Sequence, residues 1–121
     1  MHGRLRIEID GRELPHLGFF GPDDVCLYTW TPELARIRAA LAVGDTRYVF
    51  EECEQGQPAF LFERVGEMAF VSIVDSTMGD GPGDAEWQRV PCKAADLLTA
   101  IDRFFVALRA RMLGAGPYGA R

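Results

Sequence analysis

Apolar positions recur along this chain at two periods, and the change from one to the other divides it into elements. Between Arg47 and Asp75 the sequence reads RYVFEECEQGQPAFLFERVGEMAFVSIVD. Three short runs rich in Val, Phe, Tyr and Ile are separated by Gln55-Gly56-Gln57-Pro58 and by Val65-Gly66. Such runs, bounded by Gly-containing turns, predict an antiparallel meander with strands over 47–54, 59–64 and 67–75. Alternation assigns Tyr48 and Phe50 to one face of the first run with Glu52 and Glu54, and Val49 and Cys53 to the other with Glu51. The second and third runs carry apolar residues on both faces. A strand of that kind is central or covered on its second side, so the second face of this sheet is a candidate interface.

Upstream, GRLRIEI at 3–9 sets Leu5, Ile7 and Ile9 against Arg4, Arg6 and Glu8. This is period two and predicts a half-buried strand. Asp10-Gly11 follows as a tight turn. Over 12–22, Pro15, Gly18, Gly21 and Pro22 break regular structure, while Leu14, Leu17, Phe19 and Phe20 are too apolar to stay in water. That combination predicts a loop dropping side chains onto the core edge. DVCLYTW at 24–30 reads as another strand. Thr31 and Pro32 then suit the N-cap and first position of a helix. Its inward stripe is Leu34, Ile37 and Leu41, and it stops at Gly44, which predicts a short helix near 32–43.

Downstream, DSTMGDGPGDAE at 75–86 is a Gly-rich connection. Trp87 to Val90 reads as a last short strand ended by Pro91. From Lys93 to Leu113 the spacing changes to threes and fours: Ala94, Leu97, Leu98, Ile101, Phe104, Phe105, Leu108 and Met112 form one stripe. Acidic residues come early and arginines late, in accord with the helix dipole. A helix of this length would be about 30 Å long and can cover one face of a sheet. The expected fold class is α+β: an antiparallel five- to six-stranded sheet with the long C-terminal helix on one face and the short helix near its edge. A single domain is expected over 1–113, followed by a loose tail at 114–121.

Composition narrows the functional classes. The chain has 121 residues, 48% hydrophobic and 26% charged, values ordinary for one globular domain. Its net charge of −5, from 18 acidic and 13 basic residues, argues against nucleic acid or an anionic membrane as partner. Cys26, Cys53 and Cys92 are odd in number and widely spaced, which reads as reduced, buried thiols rather than a disulfide framework. The first residues show no apolar segment of a secretory signal and no run reaches membrane-spanning length. A cytoplasmic location is expected.

Candidate chemistry is sparse. His2 and His16 both fall early, and neither stands near Ser72 or Ser76 in sequence, so a Ser–His–Asp arrangement has no support. GxSxG, HExxH and phosphate-loop motifs are missing from the sequence. Asp75, Asp80, Asp84 and Glu86 supply oxygen ligands without the spacing of a calcium loop. No enzyme activity, cofactor or metal is therefore expected. Glu51, Glu52 and Glu54 lead into the Gln55-Gly56 turn, either as a solvated hairpin end or as an acidic patch for a basic partner. Trp30 and Trp87 lie at the ends of expected strands, where an aromatic either closes the core rim or anchors an interface.

The second half carries a resemblance. PAFLFER, VGEMAFVSIVDS, the Gly-rich loop, WQRVPC and AIDRFFVALRARML together resemble the small α+β immunity proteins of bacterial polymorphic-toxin systems. In that type a meander is followed by a Val-Pro step, here Val90-Pro91, and by a helix carrying Ala-Ile-x-x-Phe, here Ala100-Ile101-Asp102-Arg103-Phe104. The likeness spans roughly residues 50–113 and consists of packing motifs. The helix at 32–43 has no counterpart in it, and only Tyr118 stands where such proteins often carry an aromatic after the last helix. The resemblance implies a protein that binds a cognate toxin domain and occludes its active site without catalysis. On that reading the expected contacts are Glu51, Glu52, Glu54, Asp80, Asp84 and Trp87. A homodimeric ligand-binding or accessory domain is the alternative, drawn from the two-faced apolar strands.

Overall fold

A computed structural model of the chain describes residues 2–18, 21–51 and 55–114. Phe19, Phe20, Glu52, Cys53, Glu54 and the tail with Tyr118 lie outside the described residues. The elements run β1 (His2–Gly3), β2 (Glu8–Ile9), β3 (Arg12–Glu13), β4 (Val25–Cys26), α1 (Leu27–Val43), β5 (Thr46–Glu51), β6 (Ala59–Val65), β7 (Met68–Val74), β8 (Val90–Lys93) and α2 (Ala94–Gly114). The class is α+β with antiparallel sheets and a long C-terminal helix, as the hydrophobic pattern predicts.

The meander forms as expected, in the order β5-β6-β7-β8. Register pairs Phe50 with Phe60, Phe60 with Ile73, Phe62 with Val71, and Val71 with Val90. These side chains share one face and meet both helices in a single core. The expected five- to six-stranded sheet is not formed. Instead a four-stranded sheet is accompanied by two short pairs, β1 with β4 and β2 with β3.

The N-terminal segment explains the difference. Leu5, Ile7 and Ile9 are buried and their neighbours exposed, as alternation predicts. Its backbone bonds, however, go to the following loop: Leu5 N–H donates to Pro22 O (2.9 Å), and Ile7 O accepts from Leu14 N–H (2.7 Å). Those groups are thereby satisfied without a sheet ladder. Asp10 and Gly11 do form the two-residue turn of the β2–β3 hairpin. Both have positive φ, 54° and 74°, the requirement of a type I′ turn. The loop beyond it drops Leu14 and Leu17 into the core.

Helix α1 also departs from expectation. It begins at Leu27, and only Val25–Cys26 of the expected 24–30 strand remains extended. The cause is Trp30. As part of the helix it is fully buried, edge-on to Phe50 (4.7 Å) and Phe60 (5.1 Å), and its indole N–H donates to Leu17 O (2.9 Å). Burial of that ring outweighs the strand preference of its neighbours. Pro32 consequently sits inside the helix. The carbonyl that loses its intrahelical partner is that of Tyr28, a residue 76% exposed and within reach of water. Thr31, expected as the N-cap, instead holds its hydroxyl buried with no hydrogen-bond partner. The stripe Leu34, Ile37, Leu41 is fully buried as predicted.

At the other end, β8 starts at Val90 rather than Trp87 and runs through Pro91. β8 is an edge strand, the place where a sheet tolerates proline. Arg89, at φ 49°, breaks the extension before it. Helix α2 starts directly afterwards, with Ala94 N–H donating to Glu67 O in the β6–β7 turn (2.8 Å). Ala94, Leu97 and Ile101 are buried, whereas Met112 at the far end of the stripe is exposed. Arg38 of α1 clamps Asp102 of α2 through two hydrogen bonds, at 2.5 and 2.9 Å, so the helices pack side by side on the same face of the sheet.

Candidate interaction surface

Because α1 and α2 share one face, no helix among the described residues covers the other. Register lays this outer face out in rows. One row is Arg47, Glu63, Phe70 and Pro91; the next is Val49, Leu61 and Ser72; the third is Glu51, Ala59 and Val74; and Val65 and Met68 stand beside the β6–β7 turn. Ala59, Leu61 and Ser72 are buried but lie outside the main core cluster. Towards β5 and the turn the face opens: Val49 is 43% exposed, Val65 56% and Met68 38%. Arg89 lies across Phe70, its guanidinium 4.3 Å from the ring centre, and reaches Glu63 at 3.5 Å. The surface is thus an apolar floor with a charged rim.

The Gly-rich connection borders one end of this face. The sequence marks it only as a Gly-rich connection; in the structure it is a docked strap. Gly56 N–H donates to Gly79 O (2.6 Å), Gly81 N–H to Gln57 O (3.2 Å), Ser76 N–H to Gly81 O (2.9 Å) and Asp84 N–H to Ile73 O (3.1 Å). A Cβ on Gly81 would stand 2.2 Å from the Gln57 carbonyl carbon, and one on Gly83 would stand 2.7 Å from Ile73 O. These glycines therefore permit close backbone approach. Ser76, buried beneath the strap, accepts from Met78 N–H and Gly79 N–H. Gln57, also buried, donates to His16 O.

The residues singled out from sequence divide accordingly. Glu51 stands on the outer face, where its carboxylate accepts from Thr77 N–H (2.8 Å), Thr77 Oγ1 (3.0 Å) and Ser76 Oγ (3.3 Å). Those bonds, the backbone one foremost, hold its pKa below the usual carboxylate range. Asp84 accepts from Glu86 N–H (2.9 Å) and meets His16 Nε2 at 3.1 Å, which lowers its pKa in the same order of causes. Both carboxylates are latches of the strap. Their contribution is complete above the ordinary carboxylate range and disappears as pH falls through the depressed values. Asp80 is exposed on the strap at φ 57°. Trp87 is 4% exposed, beneath the Arg12 guanidinium at 4.5 Å, and offers a partner no side-chain surface. Glu52 and Glu54 lie outside the described residues. Of the expected contacts among the described residues, Glu51 and Asp84 are engaged within the chain, Trp87 is buried and Asp80 is exposed.

Other chemistry is dispersed. His16 pairs with Asp84, but Ser72 accepts from Arg89 N–H and Ser76 serves its own turn, so no histidine meets a serine among the described residues. Among them no group of three or more His, Cys, Asp or Glu could hold a metal ion. Cys92 is half-buried, and burial, followed by Asp96 and Asp10, pushes its thiol up to about 11. Among the described residues no helix is long and apolar enough to cross a membrane. Sequence reasoning found the two-faced strands but not the strap or Arg89; the Gly-Asp-Gly-Pro-Gly run was the available signal for the former. No protein-family model, curated protein or solved structure matches the chain.

Proposed function

We propose that this protein is a non-catalytic binding module, an immunity protein that neutralises a cognate bacterial toxin domain by occluding its active site. The observation that carries the reading is the outer sheet face, left open by both helices and combining apolar side chains with a charged rim. The resemblance of residues 50–113 to immunity proteins and the acidic balance of the chain support it. The contact surface is centred on Val65, Met68, Glu63 and the Arg89–Phe70 stack, with Asp80 at its strap side. Glu51 and Asp84 act indirectly, by holding the strap that frames the face. A homodimeric ligand-binding domain would want an enclosed apolar cavity; the cleft lined by residues between Glu13 and Pro22 opens to solvent and is part polar.

The test is capture of a stoichiometric partner from the native host, followed by co-expression of that partner's C-terminal domain with this protein. Growth arrest by the domain alone and rescue by the intact protein are expected. Met68→Asp and Glu63→Lys, both at positions outside the main core cluster, should abolish rescue while leaving the circular dichroism spectrum unchanged. A partner domain with no toxicity, or full rescue by both variants, would refute the assignment.

A further inference from the structure

The two edges of the four-stranded sheet are unlike. β8 is guarded: Pro91 and Lys93 lie in it, and β2 packs beside it. Proline and lysine are the usual means of blocking unwanted strand pairing. β5, the opposite edge, reads TRYVFE, six residues without proline or glycine. Among the described residues no hydrogen bond reaches the outward-pointing backbone groups of this strand.

Which groups point outward follows from the turn. Val65 and Met68 close a two-residue hairpin and so exchange backbone hydrogen bonds. Alternation along β6 then directs the backbone of Arg64, Phe62 and Phe60 towards β5, where their partners are Thr46, Tyr48 and Phe50. The N–H and C=O groups of Arg47, Val49 and Glu51 must face away from the sheet.

We infer that a second copy of this chain pairs with that edge, β5 against β5 in antiparallel, on a two-fold axis through Val49. In this register Val49 faces Val49, Arg47 faces Glu51 of the other copy, and Tyr48 faces Phe50. All three outward-pointing residues of each copy exchange hydrogen bonds with outward-pointing partners, so no backbone group is stranded. The charges complement one another twice, since each Arg47 meets a Glu51. Among the described residues Arg47 has no ion-pair partner within its own chain, and the Glu51 carboxylate takes its Thr77 N–H and Ser76 bonds on Oε1, with only the longer 3.3 Å contact from Thr77 Oγ1 on Oε2. Cross-strand pairs of this kind favour one register over its neighbours. The product is a continuous eight-stranded sheet whose outer face is doubled. The inference is independent of the toxin-binding reading.

Light scattering coupled to size exclusion, over a dilution series of the full chain, tests it. Wild type should be a dimer that dissociates on dilution. Val49→Pro removes an N–H that only the second copy uses, on an edge strand that tolerates proline, and should give a folded monomer with an unchanged circular dichroism spectrum. Arg47→Glu sets like charges opposite one another twice and should weaken the dimer roughly tenfold or more. Mixed with Glu51→Arg, it should form a heterodimer, because both cross-strand pairs are again complementary. Glu51→Arg also removes the Thr77 latch, so Val49→Pro and Arg47→Glu decide the matter by themselves. A wild-type monomer at every concentration, including one whose edge is taken by a strand of another protein, overturns the inference. So does a dimer untouched by both variants.

Discussion

Replacing Gly81 by alanine separates a docked strap from a free loop, because the two predict opposite signs. In an unstrained exposed loop, Gly→Ala removes freedom from the unfolded chain and stabilises by about 0.4–1 kcal/mol. Here the new Cβ would stand 2.2 Å from the Gln57 carbonyl carbon and 2.5 Å from Gly56 O, against an ordinary contact of 3.4 Å. Both obstacles are backbone and cannot rotate aside. Relief needs the segments to part by 3.4 minus 2.2, or 1.2 Å. That displacement breaks the 3.2 Å bond from Gly81 N–H to Gln57 O, and it pulls on Gly56 N–H to Gly79 O and Ser76 N–H to Gly81 O. With about 1 kcal/mol net for each bond, the expected loss is about 2–3 kcal/mol. For a chain of this size that lowers the melting temperature by roughly 8–12 °C. Urea denaturation followed by circular dichroism should show an earlier midpoint at an unchanged slope. Gly83→Ala, directed at Ile73 O, should share the sign. A Gly81→Ala protein as stable as the parent, or more so, would refute the argument that these glycines exist for close approach.

Two further outcomes follow from the core. Tyr48 donates to Glu33, and burial first, then that bond, pushes its phenol from 10.0 up to about 12. The folded state holds this proton through a range in which the unfolded chain has lost it, so stability should fall as pH rises from 10 towards 12. Tyr48→Phe should flatten that part of the pH–stability curve; an unchanged alkaline slope would count against the assignment. Trp30→Ala removes the ring between Phe50 and Phe60 and the bond to Leu17 O, and should cost about 3–5 kcal/mol. That is a large share of the total stability of a domain, and a thermal melt showing a loss below about 1 kcal/mol would contradict the packing described.

The parts of the fold legible in sequence are those where local pattern and tertiary contact agree. The stripes Leu34-Ile37-Leu41 and Ala94-Leu97-Ile101, the meander and the Asp10-Gly11 turn all emerge from periodicity or turn chemistry. The failures have separate causes. DVCLYTW has the β-branched and aromatic composition of a strand, yet Trp30 is buried more effectively from a helix, and tertiary packing decided. Residues 3–9 alternate correctly for burial, but alternation does not say where backbone hydrogen bonds go, and these go to the neighbouring loop. Glycines at 79–83 mark either freedom or close approach, and composition cannot distinguish them. The candidate surface was half legible. Apolar residues on both faces of β6 and β7 pointed to a second interface. The engagement of Glu51 by Ser76 and Thr77, and of Asp84 by His16, was not legible, because those partners come from segments remote in sequence.

The strap also holds the beginning of the chain. Arg12 donates to Glu86 O, His16 meets Asp84, and Gln57 donates to His16 O, contacts separated by 74, 68 and 41 residues. The strands of the meander, by contrast, pair only with their immediate neighbours in sequence. Closing short loops costs less entropy than closing long ones, so the expected order of assembly puts β5 to β8 first and the N-terminal limb last. Run in reverse, the limb is the region that peels away most readily while the sheet stays whole. Amide hydrogens of residues 5–14 should accordingly exchange ahead of those of β6 and β7. A proteinase acting on the native protein would find its first cuts there, beside the end of the proposed contact face where Met68 shares a cleft with Asp10 and Gly11.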